Sequence, residues 1–340
     1  MTSVLKFAAR SLYFWLASFF LMCPADAAAK TANSGSLCDV RMQADSFLRN
    51  MPEKLQAQQA EAIHRAIAGD AGMLTKVRQS RNKIAELPTG VYRTEVGNGL
   101  ALFRSTHYDS DTIPLLVYLH GGGWVIGSIN SCSRYCGVMA DKGVAVLAVD
   151  YRLAPEHPFP EGLDDCVAAV RLAIDRMAQW KCSGISIGGD SSGGNLAIAT
   201  ALSFPENTFS SLITFYPVTK AYVDDFGSWE KYGEGFGLDS ELMEAFNKAY
   251  TEDCRNPLVS PAEADDAALM KLPPMLMVAA ERDILRDQGQ ELVNRLKHLG
   301  KEVRYVVIPG SVHLFITVDG QPSAFNLSVE ESAAFIFNKP

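Results

Sequence analysis

Apolar positions along the chain change their period near residue 90. From Ser46 to Val77 they recur at helical spacing, with Leu48, Leu55, Ala62, Ile63 and Ile67 on one face, and the pattern predicts helix. Val91–Val96 and Leu100–Arg104 flank Gly97-Asn98-Gly99, which predicts a hairpin at a sheet edge. Beyond them, apolar runs of strand length alternate with amphipathic stretches. The predicted strands are Ile113–His120, Val144–Asp150, Ile185–Asp190, Leu212–Tyr216, Met275–Ala280 and Val303–Ile308. The helices that follow or separate them are Asn130–Lys142, Gly162–Gln179, Ser192–Leu202, Leu285–Leu299 and Ser323–Phe337.

Continuously apolar strands alternating with helices imply an α/β fold, a mostly parallel sheet with helices on both faces. Its crossovers should be right-handed, and a ligand should bind beyond the carboxyl ends of the strands. Residues 217–270 hold aromatics, charges and helix patterns but no strand. Together with the N-terminal helices, about residues 40–85, they are surplus to the sheet and are expected to form a helical cap over its ligand edge.

The first residues read differently. Lys6 and Arg10 precede the apolar run Leu12–Met22, and the small residues Ala25, Ala27, Ala28 and Ala29 follow Pro24. A basic start, a short apolar middle and an Ala-x-Ala end predict a secretory signal peptide over 1–27, with cleavage after Ala27 or Ala29. The run is too short to span a bilayer, so the expected location is periplasmic or extracellular, with no membrane span after processing. The remaining 28–340 would form the folded domain. It keeps six cysteines, at 38, 132, 136, 166, 182 and 254. An even number in an exported chain permits disulfides; buried free thiols are the alternative. Cys132 and Cys136 lie four apart on a predicted helix, where a bond would close too short a loop to add much stability.

The 340 residues are 48% hydrophobic and 21% charged, which excludes a disordered, collagenous or coiled-coil chain. A net charge of −8 argues against a basic nucleic-acid binder and weakly favours neutral or cationic ligands.

Two motifs carry chemistry. Gly189-Asp190-Ser191-Ser192-Gly193 lies between a predicted strand and helix, the setting of a nucleophile elbow. There the turn throws Ser191 above the sheet edge, and the helix start offers N–H groups to an anion. His120-Gly121-Gly122-Gly123-Trp124 follows another strand, and its glycines let backbone N–H groups converge on one oxygen. Gly122 and Gly123, with the N–H of Ser192, are the candidate oxyanion hole. A phosphate-binding turn and a flexible loop are the plainer readings of each motif taken alone.

A serine nucleophile needs a base and a carboxylate to orient it. Of the six histidines, His64, His107 and His298 are expected at the surface, and His120 braces its loop. His313, just past the last strand, is the candidate base, with His157 its competitor. Asp283, after the strand Met275–Ala280, is the candidate carboxylate, although Asp there is also a common helix cap. Glu281 and Asp287 are lesser candidates. The order Ser…Asp…His is that of an α/β-hydrolase.

The blocks His120–Gly123, Tyr151–Pro160, Gly189–Asn195, Ser260-Pro261, Leu272–Pro274 and Asp283–Gly289 occur in order. Over residues 45–338 the sequence resembles the hormone-sensitive-lipase-like branch of the α/β-hydrolases, which includes bacterial carboxylesterases and acetyl esterases. The resemblance implies an eight-stranded sheet, a helical cap, no metal or organic cofactor, and the triad Ser191–Asp283–His313. It implies a bracing role for Tyr151–Pro160, with Arg152 and Glu156 in buried polar contacts. Two departures are Ile284, where the family usually has proline, and Leu314, where it often has glycine. The expected function is a serine carboxylesterase acting on short acyl chains. The cap aromatics Trp229, Tyr232, Phe236 and Phe246 would line its pocket or form cap core. A lipase or peptidase of the same fold, or a non-catalytic ligand-binding relative, is the alternative. The expected partners are a small-molecule ester and, in a homodimer, a second copy of the chain.

Overall fold

The computed structural model describes residues 34–223 and 227–338; the predicted signal peptide lies outside the described residues. Three helices come first: α1 (Ser34–Asn50), α2 (Leu55–Ile67) and α3 (Gly72–Arg81). The single helical pattern read over 46–77 is thus broken twice. Pro52 has no N–H with which to continue α1, and Lys54 turns the chain at φ 60°. Gly69, at φ 95°, turns the chain out of α2, so that Ile67 at its last position is exposed.

The hairpin forms as expected. β1 (Val91–Gly97) pairs antiparallel with β2 (Leu100–Ser105), Val91 opposite Ser105. Then come β3 (Ile113–Leu119), α4 (Ile129–Asp141), β4 (Ala145–Val149), α5 (Glu161–Arg176), β5 (Cys182–Asp190), α6 (Ser192–Leu202) and β6 (Ser211–Phe215). The stretch predicted to lack strands holds α7 (Gly227–Tyr232), α8 (Ser240–Tyr250) and α9 (Asp266–Leu269). β7 (Met275–Arg282), α10 (Arg286–His298), β8 (Val303–Val312) and α11 (Pro322–Phe337) complete the described chain.

The eight strands form one sheet in the order β1-β2-β4-β3-β5-β6-β7-β8. β2 pairs antiparallel with β1 and β4; every later neighbour is parallel. Because successive side chains of a strand face opposite ways, β3 feeds two cores. Leu115, Val117 and Leu119 join the side covered by α5, α6 and α10, while Leu116 and Tyr118 join the side covered by α4 and α11. A central parallel strand has no wet face, which is why this run is apolar throughout.

The surplus helices meet each other: α2 packs on α3 and α8, while α1 rests on β8 and α11. His120, Ser191, Asp283 and His313 are each the first residue past the carboxyl end of β3, β5, β7 and β8. These four strands run parallel within the sheet, so all four residues emerge on one edge. Among the described residues no helix is long and apolar enough to cross a membrane.

Candidate active site

Ser191 occupies the turn from β5 to α6 at φ 53° and ψ −119°, a region that residues with side chains avoid. Its N–H donates to Phe215 O at 2.9 Å, and its carbonyl accepts from Asn195 N at 3.0 Å and Val218 N at 3.2 Å. These bonds hold the strained conformer. The turn is also too tight for side chains beside it. A Cβ on Gly193 would lie 2.0 Å from Leu119 O, and one on Gly189 2.4 Å from the Gly193 carbonyl.

The imidazole of His313 reaches this turn from the far end of the sheet. Its Nε2 lies 3.1 Å from Ser191 Oγ and its Nδ1 2.6 Å from Asp283 Oδ2. The other oxygen of Asp283 accepts from Leu285 N at 2.9 Å, so the carboxylate both faces the imidazole and caps the turn into α10. Asp283 and His313 are each 1% exposed and Ser191 7%, so the hydroxyl is the part of the array open to a ligand. Gln321 fixes the His313 loop, donating to Val312 O and His313 O and accepting from Val312 N. Tyr216 packs its ring 4.3 Å from the imidazole and accepts from Ile316 N.

The other candidates are engaged elsewhere. Glu281 accepts from Gly310 N, while Asp287 accepts from Ser228 N and pairs with Arg286. His157 is exposed against Glu161, and His64, His107 and His298 are exposed. His120 stacks on Tyr151 at 4.3 Å with Nδ1 2.9 Å from Gly121 O, and burial lowers its pKa.

The glycine loop leans on Asp190. Its Oδ1 accepts from Gly121 N at 3.0 Å and from Tyr118 Oη at 2.8 Å. Burial pushes the Asp190 pKa up to about 6, against the opposing pull of those two donors. The N–H groups of Gly122 and Gly123 enter no hydrogen bond among the described residues. Ser192 N–H is the first of α6 and has no acceptor within the helix. Gly123 sits at φ 61°, and a Cβ there would meet the Phe246 ring at 2.1 Å.

Above this floor lies a cavity of about 640 Å³ walled by Phe47, Leu55, Leu238, Leu242, Phe246 and Leu314. Of the four aromatics expected around a pocket, Phe246 alone lines it. Trp229 and Tyr232 are buried, and Phe236 packs edge-on to Tyr232. The Leu314 side chain is part of the wall, as its bulk beside the base suggested.

One expectation fails. Arg152 and Glu156 are not in buried contacts: Arg152 pairs with Glu161 and Asp165, and Glu156 with Arg78, all at the partly exposed rim. Acidic side chains at the start of α5 and a basic one on α3 supply partners there, so neither charge has to leave water. Cys132 and Cys136 bring their sulfurs to 3.7 Å as buried free thiols, and the described cysteines form no disulfide.

Sequence reasoning passed over Asp190, Tyr216 and Gln321. Asp190 had a signal: an acidic residue closing an apolar strand, inside the motif itself. The other two act through contacts across the sheet edge and left none.

An oxygen so placed can lose its proton to the imidazole while it attacks, and three free N–H groups can hold the charge that develops. Comparison with known proteins agrees with the architecture. A family model for the alpha/beta hydrolase fold matches residues 116–317. An arylesterase of Saccharolobus solfataricus is 30% identical over 280 residues, 79% of this chain and 86% of the relative. An ethyl acetate hydrolase of Pseudomonas putida is 36% identical over 211 residues, 59% of this chain and 65% of the relative. The chain spans 54–65% of the length of the first curated relatives it matches. A mutant of an alpha/beta hydrolase enzyme from the metagenome of Lake Arreo, Spain, superposes with a TM-score of 0.73 at 28% identity, covering 88% of this chain and 96% of that one. The chain belongs to the α/β-hydrolase fold family, in the hormone-sensitive-lipase-like branch that its motifs resemble.

Proposed function

We propose that this chain is a serine hydrolase that cleaves carboxylic esters with short acyl chains through an acyl-enzyme. The observation that carries the reading is the unbroken contact Ser191–His313–Asp283 beside free backbone donors. Ser191 Oγ attacks the ester carbonyl carbon while His313 Nε2 takes its proton. Asp283 keeps the Nδ1 proton facing it and steadies the imidazolium. Gly122, Gly123 and Ser192 N–H hold the tetrahedral oxyanion. The C–O bond then breaks, the alcohol leaves with the proton from His313, and the acyl group remains on Ser191. Water, giving its proton to His313, attacks the acyl carbon, and the acid departs as Ser191 is reprotonated.

Two further points support the reading. A cavity of about 640 Å³ suits a small ligand, and relatives carry the names arylesterase and ethyl acetate hydrolase. The helices that meet over the site, α2, α3 and α8, act as its cap. Export of the mature domain is part of the same proposal; a secreted product beginning at Ala28 or Lys30 is its check.

The test is a p-nitrophenyl ester series. Wild type should favour acetate to butyrate and weaken with longer chains, and Ser191→Ala should lose about 10⁵–10⁶ in kcat with the fold intact. Retained turnover in that variant removes Ser191 from its role. Activity that keeps rising with chain length replaces the short-chain reading with a lipase.

A further inference from the structure

The charges of the catalytic cavity do not follow those of the chain. The chain carries −8 overall, yet the cavity wall holds three cations, Arg81, Lys83 and Arg134, against two carboxylates, Asp190 and Asp319. Asp319 pairs with Arg134, while Asp190 accepts from Tyr118 and Gly121 N and keeps its charge, which acts on Arg81 without a direct contact. Arg81 and Lys83 line the same cavity as Ser191 and His313, and neither forms an ion pair or hydrogen bond among the described residues.

Arg81 is the more telling. It is the last residue of α3, and Arg78, one turn earlier, shows what such a side chain does when it is structural. Arg78 bonds the carbonyls of Val125 and Ala154 and the carboxylate of Glu156, tying α3 to the neighbouring loops. Arg81 makes none of these ties. Burial lowers the Arg81 pKa while the Asp190 charge raises it, and the side chain lines the cavity that holds Ser191 and His313. A half-buried guanidinium whose five donors meet no acceptor among the described residues is placed to take one from a ligand.

We infer that Arg81, assisted by Lys83 at the rim, receives a carboxylate on the substrate, so that the enzyme favours esters bearing a negative charge over neutral esters of equal length. The inference deepens the ester-hydrolase reading and rests on it. Planar guanidinium and carboxylate groups match bidentately, and such a pair also fixes the ester carbonyl over Ser191. The charge can sit on the acyl side, as in a monoester of a dicarboxylic acid, or on the alcohol side, as in an acylated hydroxy acid.

Both sides can be tested by pH-stat. The acyl-side pair is monomethyl glutarate against methyl hexanoate; the alcohol-side pair is 3-acetoxypropanoate against butyl acetate. In wild type the anionic member of at least one pair should have a kcat/KM about 10-fold or more above its neutral counterpart. Arg81→Gln should lower that ratio about 10- to 100-fold, and Arg81→Lys, which keeps charge without the fork, should retain part of it. A wild-type ratio of one or less in both pairs overturns the inference. So does a ratio that Arg81→Gln leaves unchanged, because a merely structural arginine would affect both members alike. Turnover of the neutral esters in either case leaves the hydrolase reading standing. If none of the four esters is cleaved and Ser191 takes no fluorophosphonate, that reading fails and this one with it.

Discussion

Asp190→Asn isolates one buried charge at the base of the glycine loop. The carboxylate is 1% exposed, and its pKa is raised to about 6 by burial, against about 3.9 in an unfolded chain. The folded state therefore holds this proton more tightly than the unfolded state. Between those two values, rising pH strips the unfolded chain first, and folding stability falls by 1.36 kcal/mol per unit. Over about two units the loss is about 3 kcal/mol, complete by pH 7. Asparagine cannot ionise, and its carbonyl can still accept from Gly121 N and Tyr118 Oη. Unfolding by urea at pH 4, 5, 6 and 7 should thus show the variant gaining on wild type by about 2 kcal/mol across the range, the rest of the change lying below pH 4, whatever constant offset the amide introduces. The same variant should keep most of its activity at pH 7, because the loop retains its acceptor. A difference between the two proteins that does not change from pH 4 to pH 7 would refute the reasoning.

Two further substitutions probe the site's geometry. Gly123→Ala places a methyl 2.1 Å from the Phe246 ring at a left-handed φ, and should cost about 2–5 kcal/mol of stability and at least 10-fold in kcat; adding Phe246→Ala should recover about 1–3 kcal/mol relative to additivity in a denaturation cycle. Asp283→Asn should lower kcat about 10⁴-fold with little change in KM, read on a short p-nitrophenyl ester, because the amide no longer holds the Nδ1 proton in place.

How much of this was legible follows from what each feature depends on. The strands were legible because a parallel sheet buried on both faces demands apolar residues at consecutive positions, as in Leu115–Leu119. The placement of Ser191 and His313 followed from local rules, a glycine-flanked turn and a loop just past a strand. The breaks at Pro52 and Gly69 were in the sequence too, but the apolar spacing on either side ran through them and concealed two turns. The positions of Arg152 and Glu156 were not legible, since burial depends on how loops stack at a rim. Nor was the isolation of Arg81: a cation in the last turn of a helix is ordinary, and only the packing of α3 over the cavity shows it lacks a partner.

The most direct measurement of the central claim is mass spectrometry of the protein after exposure to a fluorophosphonate. The account predicts one adduct, mapped to Ser191, formed rapidly by wild type and slowed at least a thousandfold, roughly, by His313→Ala, which removes the proton acceptor. No adduct, or an adduct on another residue while ester turnover persists, would contradict it.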